Sequence, residues 1–234
     1  MDAFILAGGH GTRLGTAAEG RPKPLVEIAG RPLLAILMEK LFELNIDHVY
    51  VNSHHLSEQI TQFRDASLLR DRITILHEVE LLGTAGTIRN FLQSGTQKEL
   101  LIMHGDNFFE DDLQKLLVEF CDRKVEIYGV AGTFLSPRPE LCGIFEVSDE
   151  SVIVKMHEKQ EPKFGNLANS AIYILDARAL AIIKDLPAEL NDLSRNVLPL
   201  LMGKLVAVPL EGFFIDIGSP QNLELARTLT TKGQ

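Results

Sequence analysis

The sequence predicts an α/β fold in which helices cover both faces of a mainly parallel sheet. In the first half of the chain, apolar runs of strand length alternate with segments of helical period, as they do where helical crossovers join parallel strands. In the second half, strand-like runs dominate from Val125 to Leu175. No Pro-, Ser- or Gly-rich linker divides the 234 residues, so we expect a single domain with two halves, at about 1–125 and about 126–234.

The predicted elements alternate along the chain. The first is an apolar strand, Ala3 to Ala7, and a glycine-rich loop follows it directly. A helix is expected after Pro32, because apolar residues at 33, 34, 37, 41 and 44 follow the 3.6-residue period. The remaining segments are strands at 47–51, 73–76 and 99–104, helices at 54–63, 84–91, 110–120, 177–186 and 192–202, a strand ending at Asp216, and a last helix from Pro220.

The loop after the first strand has the composition of a phosphate-binding loop. Glycines at 8, 9 and 11 permit backbone angles that other residues avoid, and they leave amide N–H groups uncovered. A concave run of such amides attracts anions, phosphates above all. Arg13 adds a planar cationic fork for phosphate oxygens, and Lys23, between two prolines, adds a compact charge. The stretch therefore predicts a nucleotide site.

Other interpretations of this loop fit less well. A P-loop is excluded because no Lys follows a glycine at the required spacing. A dinucleotide-binding turn lacks its third glycine, which Leu14 replaces, and the prolines at 22 and 24 interrupt the place of the crossover helix. A flexible surface turn would account for a lone glycine pair, but it leaves Arg13 and Lys23 unexplained.

An aspartate follows the strand predicted at 99–104. This run is apolar almost throughout, which is typical of a central strand, and Gly105 and Asp106 come directly after it. Ligands of open α/β sheets bind beyond the carboxyl ends of the strands. A carboxylate there suits Mg²⁺, which prefers oxygen ligands and takes one or two carboxylates plus phosphates. Asp106 could otherwise cap the helix predicted at 110–120, but we expect the metal.

Three motifs between residues 6 and 33 resemble the signature of the sugar-phosphate nucleotidyltransferases. They are Leu6-Ala7-Gly8-Gly9-x-Gly11-Thr12-Arg13-Leu14, Pro22-Lys23-Pro24-Leu25 and Gly30-x-Pro32-Leu33. Members of this family join a sugar 1-phosphate to a nucleoside triphosphate and release pyrophosphate. The resemblance implies a Rossmann-like, GT-A-type three-layer sandwich with a mainly parallel mixed sheet. The chain departs from many members at 15–19, where Gly-Thr-Ala-Ala-Glu replaces a stretch with Pro and Thr.

By this resemblance, the first loop and a second loop at 82–87 bind the nucleotide. The nucleotide-binding residues would be Leu6, Ala7, Gly8, Gly9, Gly11, Thr12, Gly83 and Thr84. The catalytic residues would be Arg13, Lys23 and Asp106, and the Mg²⁺ ligands would be Asp106 and Asp216. The second loop would lie against the nucleobase, and Thr84 is also expected to be the N-cap of the helix at 84–91.

The second half resembles the family's sugar-binding elements. Gly143 falls on a strand whose glycine backbone faces the sugar, and Asn169 on a strand whose Asn bonds a sugar hydroxyl. Glu158 and Lys159 resemble a Glu-Lys-Pro element in which Lys binds the sugar phosphate and Glu a sugar hydroxyl. Two of these elements differ from the family's pattern: glutamine replaces the proline of the Glu-Lys-Pro element, and Ala171 replaces the glycine of the Asn-x-Gly-x-Tyr strand.

Within the family, the second loop and the Phe-Ile-Asp-Ile-Gly-x-Pro ending look most like those of the D-glycero-D-manno-heptose 1-phosphate guanylyltransferases. We therefore expect guanylyl transfer from GTP to a heptose or mannose-type 1-phosphate. One alternative is uridylyl or thymidylyl transfer to another sugar 1-phosphate. Another is a non-catalytic, nucleotide-sugar-binding regulatory homologue, although such proteins usually lose a signature residue that this chain retains.

Bulk properties limit the expected partners. The net charge of −9 and the absence of a basic run argue against nucleic-acid binding. Cys121 and Cys142 are too few for a disulfide scaffold and too far apart for a zinc pair. The sequence shows no signal peptide and no apolar run of membrane-spanning length. We expect a soluble, cytoplasmic protein that binds an NTP and a sugar 1-phosphate and touches no membrane, with homo-oligomer formation left open.

Overall fold

The computed structural model describes residues 1–95, 97–158 and 164–232. It has the predicted α/β fold with a mixed, mainly parallel central sheet. The strands are β1 (Asp2–Leu6), β2 (Glu27–Ile28), β3 (Arg31–Pro32), β4 (Val49–Ser53), β5 (Ile73–His77), β6 (Glu99–His104), β7 (Asn107–Phe109), β8 (Gly129–Leu135), β9 (Gly143–Val147), β10 (Ile153–Glu158), β11 (Leu167–Asp176), β12 (Leu205–Pro209) and β13 (Phe214–Asp216). The helices are α1 (Leu33–Glu43), α2 (Ser57–Ala66), α3 (Thr84–Gln93), α4 (Gln114–Asp122), α5 (Ala177–Lys184) and α6 (Pro220–Lys232).

The chain forms two compact units, each assembled from separate stretches. The loop unit, which contains the glycine-rich loop, comprises Asp2–Leu81, Met103–Asp111 and Gly212–Gln234. The hairpin unit, which contains the β9–β10 hairpin, comprises Met1, Leu82–Ile102 and Asp112–Glu211. Each of the two halves expected from the sequence contributes to both units.

In the loop unit, β1, β4 and β5 are parallel neighbours. Ala3 of β1 pairs with Val49 of β4, which in turn pairs with Ile73 of β5. Helix α1 has the predicted apolar face, since Leu33, Leu34, Leu37, Met38 and Leu41 are all buried. Because the three strands are parallel, their carboxyl ends meet at one edge of the unit, which is where open α/β sheets bind ligands.

Two short antiparallel pairs complete the strands of the loop unit. Strands β2 and β3 form a hairpin whose two turn residues, Ala29 and Gly30, have φ angles of 51° and 74°. Strands β7 and β13 pair so that Asp216 lies opposite Asn107. Since residues 107–109 form a strand, the helix predicted at 110–120 begins only at Gln114. Asp106 therefore does not cap that helix.

In the hairpin unit, β8 lies between β11, which is antiparallel to it, and β12, which is parallel. Strand β9 pairs antiparallel with β10 and with β11. The register of β11 shifts between Asn169 and Tyr173, where Ala171 has a φ of 55°. The helix predicted at 192–202 is instead a π-turn, Leu193–Val197, followed by a 3-10 turn, Leu198–Leu201. Pro199 accounts for the difference, because it lacks an N–H and its ring clashes with the preceding helical turn.

The helices are short, and α6 has 13 residues. None of the helices in the described part of the chain has the length and apolar character needed to cross a membrane.

Candidate active site

The glycine-rich loop begins where β1 ends, at the edge that β1 shares with β4 and β5. The amide of Ala7 donates to Oδ1 of Asn52, a buried residue of β4, over 2.7 Å. Gly8 lies against the same side chain, and a Cβ on Gly8 would stand only 2.6 Å from Nδ2 of Asn52. The carbonyl of Leu6 accepts from the amide of Gly105 over 2.9 Å. The side chain of Asn52 thus fixes the start of the loop, and the amide of Ala7 forms its hydrogen bond within the protein.

The rest of the loop is open to solvent. A Cβ on Gly9 would meet none of the described atoms within 4 Å, and Gly11 has a φ of 65°, in the left-handed region that favours glycine. Thr12 and Arg13 are exposed in the 3-10 turn that follows, while Leu14 of that turn is buried in the core. The open backbone and the Arg13 side chain therefore lie where an incoming anion could reach them.

Lys23 and Asp106 form an ion pair next to this loop. Nζ of Lys23 donates to Oδ2 of Asp106 over 2.8 Å, and the two side chains are 13% and 24% exposed. The carbonyl of Asp106 accepts from the amide of Ile217 over 2.9 Å, which ties Asp106 to the segment after β13. Burial alone would raise the pKa of Asp106, but the charges of Lys23 and His104 and the hydrogen bond from Lys23 hold that pKa below its ordinary value.

Asp216 lies beside this pair, at the end of β13. Its Oδ1 accepts from the amide of Gly218 over 2.6 Å, and Nη2 of Arg13 lies 3.1 Å from where a Cβ on Gly218 would stand. The residue is exposed, but partial burial of its carboxylate and the negative charge of Asp106 raise the pKa of Asp216 above its ordinary value. The Gly218 amide and the nearby cations act in the opposite direction. The structure thus brings together Arg13, Lys23, Asp106 and Asp216.

The two carboxylates have the chemistry to bind a divalent cation. Within residues 1–95, 97–158 and 164–232, no group of three or more His, Cys, Asp or Glu could hold a metal ion, so these side chains alone would not complete a coordination shell. Mg²⁺ commonly takes one or two carboxylates and completes its shell with water and phosphate oxygens. Burial and repulsion from Asp106 raise the pKa of Asp216, and a cation between the two carboxylates would relieve the repulsion. Asp106 and Asp216 therefore fit a metal that arrives with a phosphate ligand.

A further acidic residue, which the sequence analysis did not single out, lies at the same edge. Glu78 follows β5 directly and is 7% exposed. Its Oε1 accepts from Nδ2 of Asn52 over 3.1 Å, and its Oε2 lies 3.5 Å from where a Cβ on Gly8 would stand. Its position just after a parallel strand was the available signal. The sequence alone, however, does not distinguish Glu78 from Glu80, which comes two residues later and is exposed in the structure.

Three histidines lie close together in the loop unit. The ring centroid of His10 is 5.0 Å from that of His54 and 6.3 Å from that of His55. Nδ1 of His54 lies 2.9 Å from the carbonyl oxygen of Glu78. His55 is exposed.

The second predicted nucleotide loop lies in the hairpin unit. Gly83 is the N-cap of α3 and Thr84 is the first helical residue, so the prediction that Thr84 caps this helix is wrong. Oγ1 of Thr84 instead accepts from the amide of Leu193 over 2.8 Å, and the carbonyl of Asn191 accepts from the amide of Ala85 over 2.8 Å. A neighbouring backbone carbonyl thus satisfies an amide that a side-chain cap would otherwise serve. Contact of Gly83 and Thr84 with a nucleobase stays a prediction.

The predicted sugar-binding residues belong to the hairpin unit. Gly143 and Glu158 are register partners in the β9–β10 hairpin. Nδ2 of Asn169 donates to the hydroxyl of Tyr173 over 2.7 Å. Lys159, the predicted ligand of the sugar phosphate, lies outside the described residues.

Tyr173 links these residues to two others that the sequence did not predict. Burial raises the pKa of the Tyr173 hydroxyl far above its ordinary value, against the effect of hydrogen bonds with Asn169 and Ser194. The negative charges of Glu158 and Asp192 raise this pKa further. Ser194 and Asp192 therefore interact with the same hydroxyl as Asn169 and Glu158. We call this group, centred on Tyr173, the polar cluster of the hairpin unit.

Comparison with known proteins is informative over nearly the whole chain. The model of the nucleotidyl transferase family matches residues 2–233. The bifunctional protein GlmU of Methanocaldococcus jannaschii is 31% identical over 229 residues, which are 95% of this chain and 52% of that protein. The catalytic subunit beta of mannose-1-phosphate guanylyltransferase from Xenopus tropicalis is 30% identical over 233 residues, which are 95% of this chain and 62% of that protein. The chain thus spans only 52% and 62% of these relatives' lengths.

Solved structures resemble the fold closely. HddC from Yersinia pseudotuberculosis, in a crystal structure with GMP-PN, matches with a TM-score of 0.79 and 26% identity, covering 98% of this chain and 99% of that one. A Bacillus anthracis protein described as a glucose-1-phosphate thymidylyltransferase, solved with sucrose, matches with a TM-score of 0.83 and 21% identity, covering 98% and 94%. Because the second match is only 21% identical in sequence, it shows similarity of the fold alone.

Proposed function

Because the chain belongs to the nucleotidyl transferase family, we propose that it transfers a guanylyl group from GTP to a heptose- or mannose-type sugar 1-phosphate. The products would be a GDP-sugar and pyrophosphate, made by the 234 residues as one nucleotidyltransferase domain. The observation that carries the reaction class is the group of Arg13, Lys23, Asp106 and Asp216 beside the open glycine loop. It combines two cations for phosphate oxygens with two carboxylates for a metal.

The reaction forms one bond and breaks one bond. A phosphate oxygen of the sugar 1-phosphate attacks the α-phosphorus of GTP. The bond from that phosphorus to the bridging oxygen breaks, and pyrophosphate leaves with the electron pair. The nucleophile is already ionised at neutral pH, because the second pKa of a phosphate monoester is about 6. No general base is needed, and the protein has only to position the reactants and neutralise charge.

The chain's own residues would do that work. The exposed planar fork of Arg13 suits the β- and γ-phosphates. Lys23 would transfer its hydrogen bond from Asp106 to the α-phosphate, and that exchange would free a carboxylate oxygen of Asp106. Asp106 and Asp216 would hold the divalent ion that the family generally uses, here proposed to be Mg²⁺. When bound, such an ion neutralises charge on the phosphates.

The preference for guanine rests on Glu78. The Watson–Crick edge of guanine presents two neighbouring N–H donors, and a carboxylate can accept from both because it is an acceptor with about four lone-pair positions. Uracil and thymine present a single N–H between two carbonyl oxygens, which a carboxylate would repel. Glu78 is buried beside the phosphate loop and oriented by Asn52. The guanylyltransferase relative and the structure of HddC with GMP-PN agree with this choice.

Glu78→Gln tests the choice of base. An amide offers one acceptor and one donor, so the edge it presents suits uracil better than guanine. We expect kcat/KM for GTP to fall about 10- to 100-fold, the scale of a lost charge-assisted hydrogen bond. The ratio of kcat/KM for GTP to that for UTP should fall with it. Glu80→Gln is the control, because Glu80 is exposed two residues away. Equal GTP kinetics in the two variants would contradict the assignment.

The first experiment is pyrophosphate release in the presence of Mg²⁺. It crosses GTP, UTP, CTP, dTTP and ATP with heptose, mannose, glucose and amino-sugar 1-phosphates. Release with GTP and one sugar supports the proposal in full. Release with UTP or dTTP keeps the reaction class and discards guanine. GTP binding in a calorimeter without turnover on any sugar would favour a regulatory homologue.

A further inference from the structure

A buried histidine in the β9–β10 hairpin has no part in the chemistry proposed above. His157 of β10 is 4% exposed, and its Nε2 donates to Oε1 of Glu146 in β9. The His157 ring lies flat against the ring of Phe164, with centroids 3.6 Å apart and planes inclined by 7°. One partner thus holds the edge of the imidazole, and the other covers its face.

This arrangement is unusual for two neutral aromatic rings, which prefer offset or edge-to-face contacts. An imidazole that donates its N–H to a carboxylate is polarised toward positive charge, and the face of a phenyl ring attracts positive charge. Glu146 and Phe164 therefore reinforce each other. The carboxylate orients and polarises the His157 ring, and that polarised ring stacks better on Phe164.

The contact lies at the end of β10. His157 is the next-to-last residue of β10 and Glu158 is the last. Phe164 precedes β11 in the chain. Strand ends open easily unless side chains hold them. The stack on His157 joins the end of β10 to the segment that leads into β11, directly beside Glu158.

Glu158 is the residue that would gain from such a contact. Successive side chains of a strand point to opposite faces, so Glu158 and His157 lie on opposite sides of β10. Glu158 pairs in register with Gly143 and interacts electrostatically with Tyr173 in the polar cluster. Any opening at the end of β10 would move its carboxylate away from that cluster.

We propose that Glu146, His157 and Phe164 form a clamp that keeps β10 paired to its last residue and so positions Glu158 for the hydroxyl groups of the sugar. His157 is a positioning residue, which acts through Glu158 and touches no substrate. That the ligand of Glu158 is a sugar rests on the proposed function, whereas the clamp itself rests on the contacts within the hairpin unit.

Three variants separate the parts of the clamp. His157→Asn removes the ring, Phe164→Leu keeps apolar volume but removes the aromatic face, and His157→Phe keeps a flat ring without the hydrogen bond. His157→Asn and Phe164→Leu should raise KM for the sugar 1-phosphate about tenfold, which corresponds to about 1.4 kcal/mol. The KM for GTP should stay within about twofold of the wild-type value, because the clamp acts through Glu158 and so affects the binding of the sugar. His157→Phe should cause a smaller rise.

The matched control is His48→Asn, because His48 is a half-buried histidine that also has a side-chain partner, Thr74, but it belongs to the loop unit. A second measurement is hydrogen exchange at the end of β10. Alternate amides of an edge strand face away from its partner, so of His157 and Glu158 the residue whose amide bonds to β9 gives the measurement. This amide should exchange at least about tenfold faster in His157→Asn and Phe164→Leu than in the wild type, because freeing the strand end lowers its opening free energy.

The outcomes distinguish the two proposals. If the wild type turns over no substrate pair, the proposed function fails, and the exchange rates alone decide whether the clamp exists. If the wild type is active, equal rises in the KM values for GTP and sugar would show a general loss of structure and overturn the positioning role. Unchanged exchange and unchanged KM for the sugar would overturn the clamp itself.

Discussion

Replacing Asp216 by asparagine should stabilise the ligand-free protein while it removes activity. Burial and the charge of Asp106 raise the pKa of Asp216 in the fold, so its ionised form disfavours folding at neutral pH. Asparagine keeps an oxygen for the Gly218 amide without the charge. A carboxylate with a raised pKa has no such effect below the pKa of the unfolded chain, near 3.8. The advantage of the variant should therefore grow as the pH rises through the folded-state pKa and vanish in acid.

The size of this effect is limited by the surroundings of Asp216. Asp216 is exposed, and Lys23 and Arg13 already offset part of the repulsion. After a discount for solvent screening, we expect about 0.5–1 kcal/mol. In a chain of 234 residues, 1 kcal/mol shifts Tm by roughly 2–4 °C. The expected rise in Tm is therefore about 1–4 °C at pH 7.5.

Asp106→Asn is the matched variant, and its effect on stability should have the opposite sign. Lys23 holds the pKa of Asp106 low, so this carboxylate stabilises the fold above pH 3.8 and loses its effect as the pH falls through the lowered pKa. The variant weakens a charge-assisted hydrogen bond but also relieves the repulsion of Asp216. We expect a net loss of about 1–2 kcal/mol.

Thermal unfolding of both variants in EDTA, at pH values from 4 to 8, measures these shifts, and pyrophosphate release measures activity. Both changes should lower kcat about a hundredfold or more, as expected for loss of one electrostatic stabiliser. Shifts of Tm in the same direction for the two variants would refute the reasoning. So would an Asp216→Asn protein that melts at or below the wild-type temperature across the whole pH range.

Two further substitutions test the local geometry. Ala29→Asn should raise Tm by about 1–3 °C, because Ala29 has a φ of 51° in a two-residue hairpin turn where asparagine is favoured. The same change at Ala188, an exposed residue without a positive φ, should give no rise, and equal melting of the two variants would contradict the argument. Gly8→Ala should cost about 1–3 kcal/mol, since its Cβ would stand 2.6 Å from Nδ2 of Asn52. Gly9→Ala, on the open side of the loop, should leave the Tm unchanged, and chemical denaturation of the pair decides whether the close contact exists.

The sequence alone predicted the fold class and the part of the candidate site that depends on strand ends. Asp106 follows an apolar run predicted as a central strand, and open α/β sheets bind ligands beyond such ends. Asp216 was predicted from the family resemblance, and the antiparallel pairing of its strand β13 with β7 brings it next to Asp106. Arg13 and Lys23 were predicted because they follow glycines in one short stretch. In each case the signal is local, and the pairing of strands brings the residues together.

The features that the sequence did not predict depend on contacts between segments that are far apart in the chain. Thr84 has the chemistry of an N-cap, but its hydroxyl accepts from Leu193, which is 109 residues further along the chain. Ser194 lies in the π-turn that replaces the helix expected there, Asp192 is its N-cap, and both interact with Tyr173. Glu78 is distinguished from Glu80 by burial alone. None of these differences leaves a periodic or compositional trace in the sequence.

The side chain of Asn52 has a mechanical consequence for nucleotide selection. Its Oδ1 accepts from the amide of Ala7, where the glycine-rich loop starts, and its Nδ2 donates to the carboxylate of Glu78. Both atoms belong to one rigid plane, so neither contact can shift without tilting the other. A base that pushed Glu78 aside would therefore also displace the first residues of the loop that we propose receives the triphosphate. With Glu78 as the proposed base contact, a mismatched nucleobase would be penalised at its phosphates as well as at its own edge.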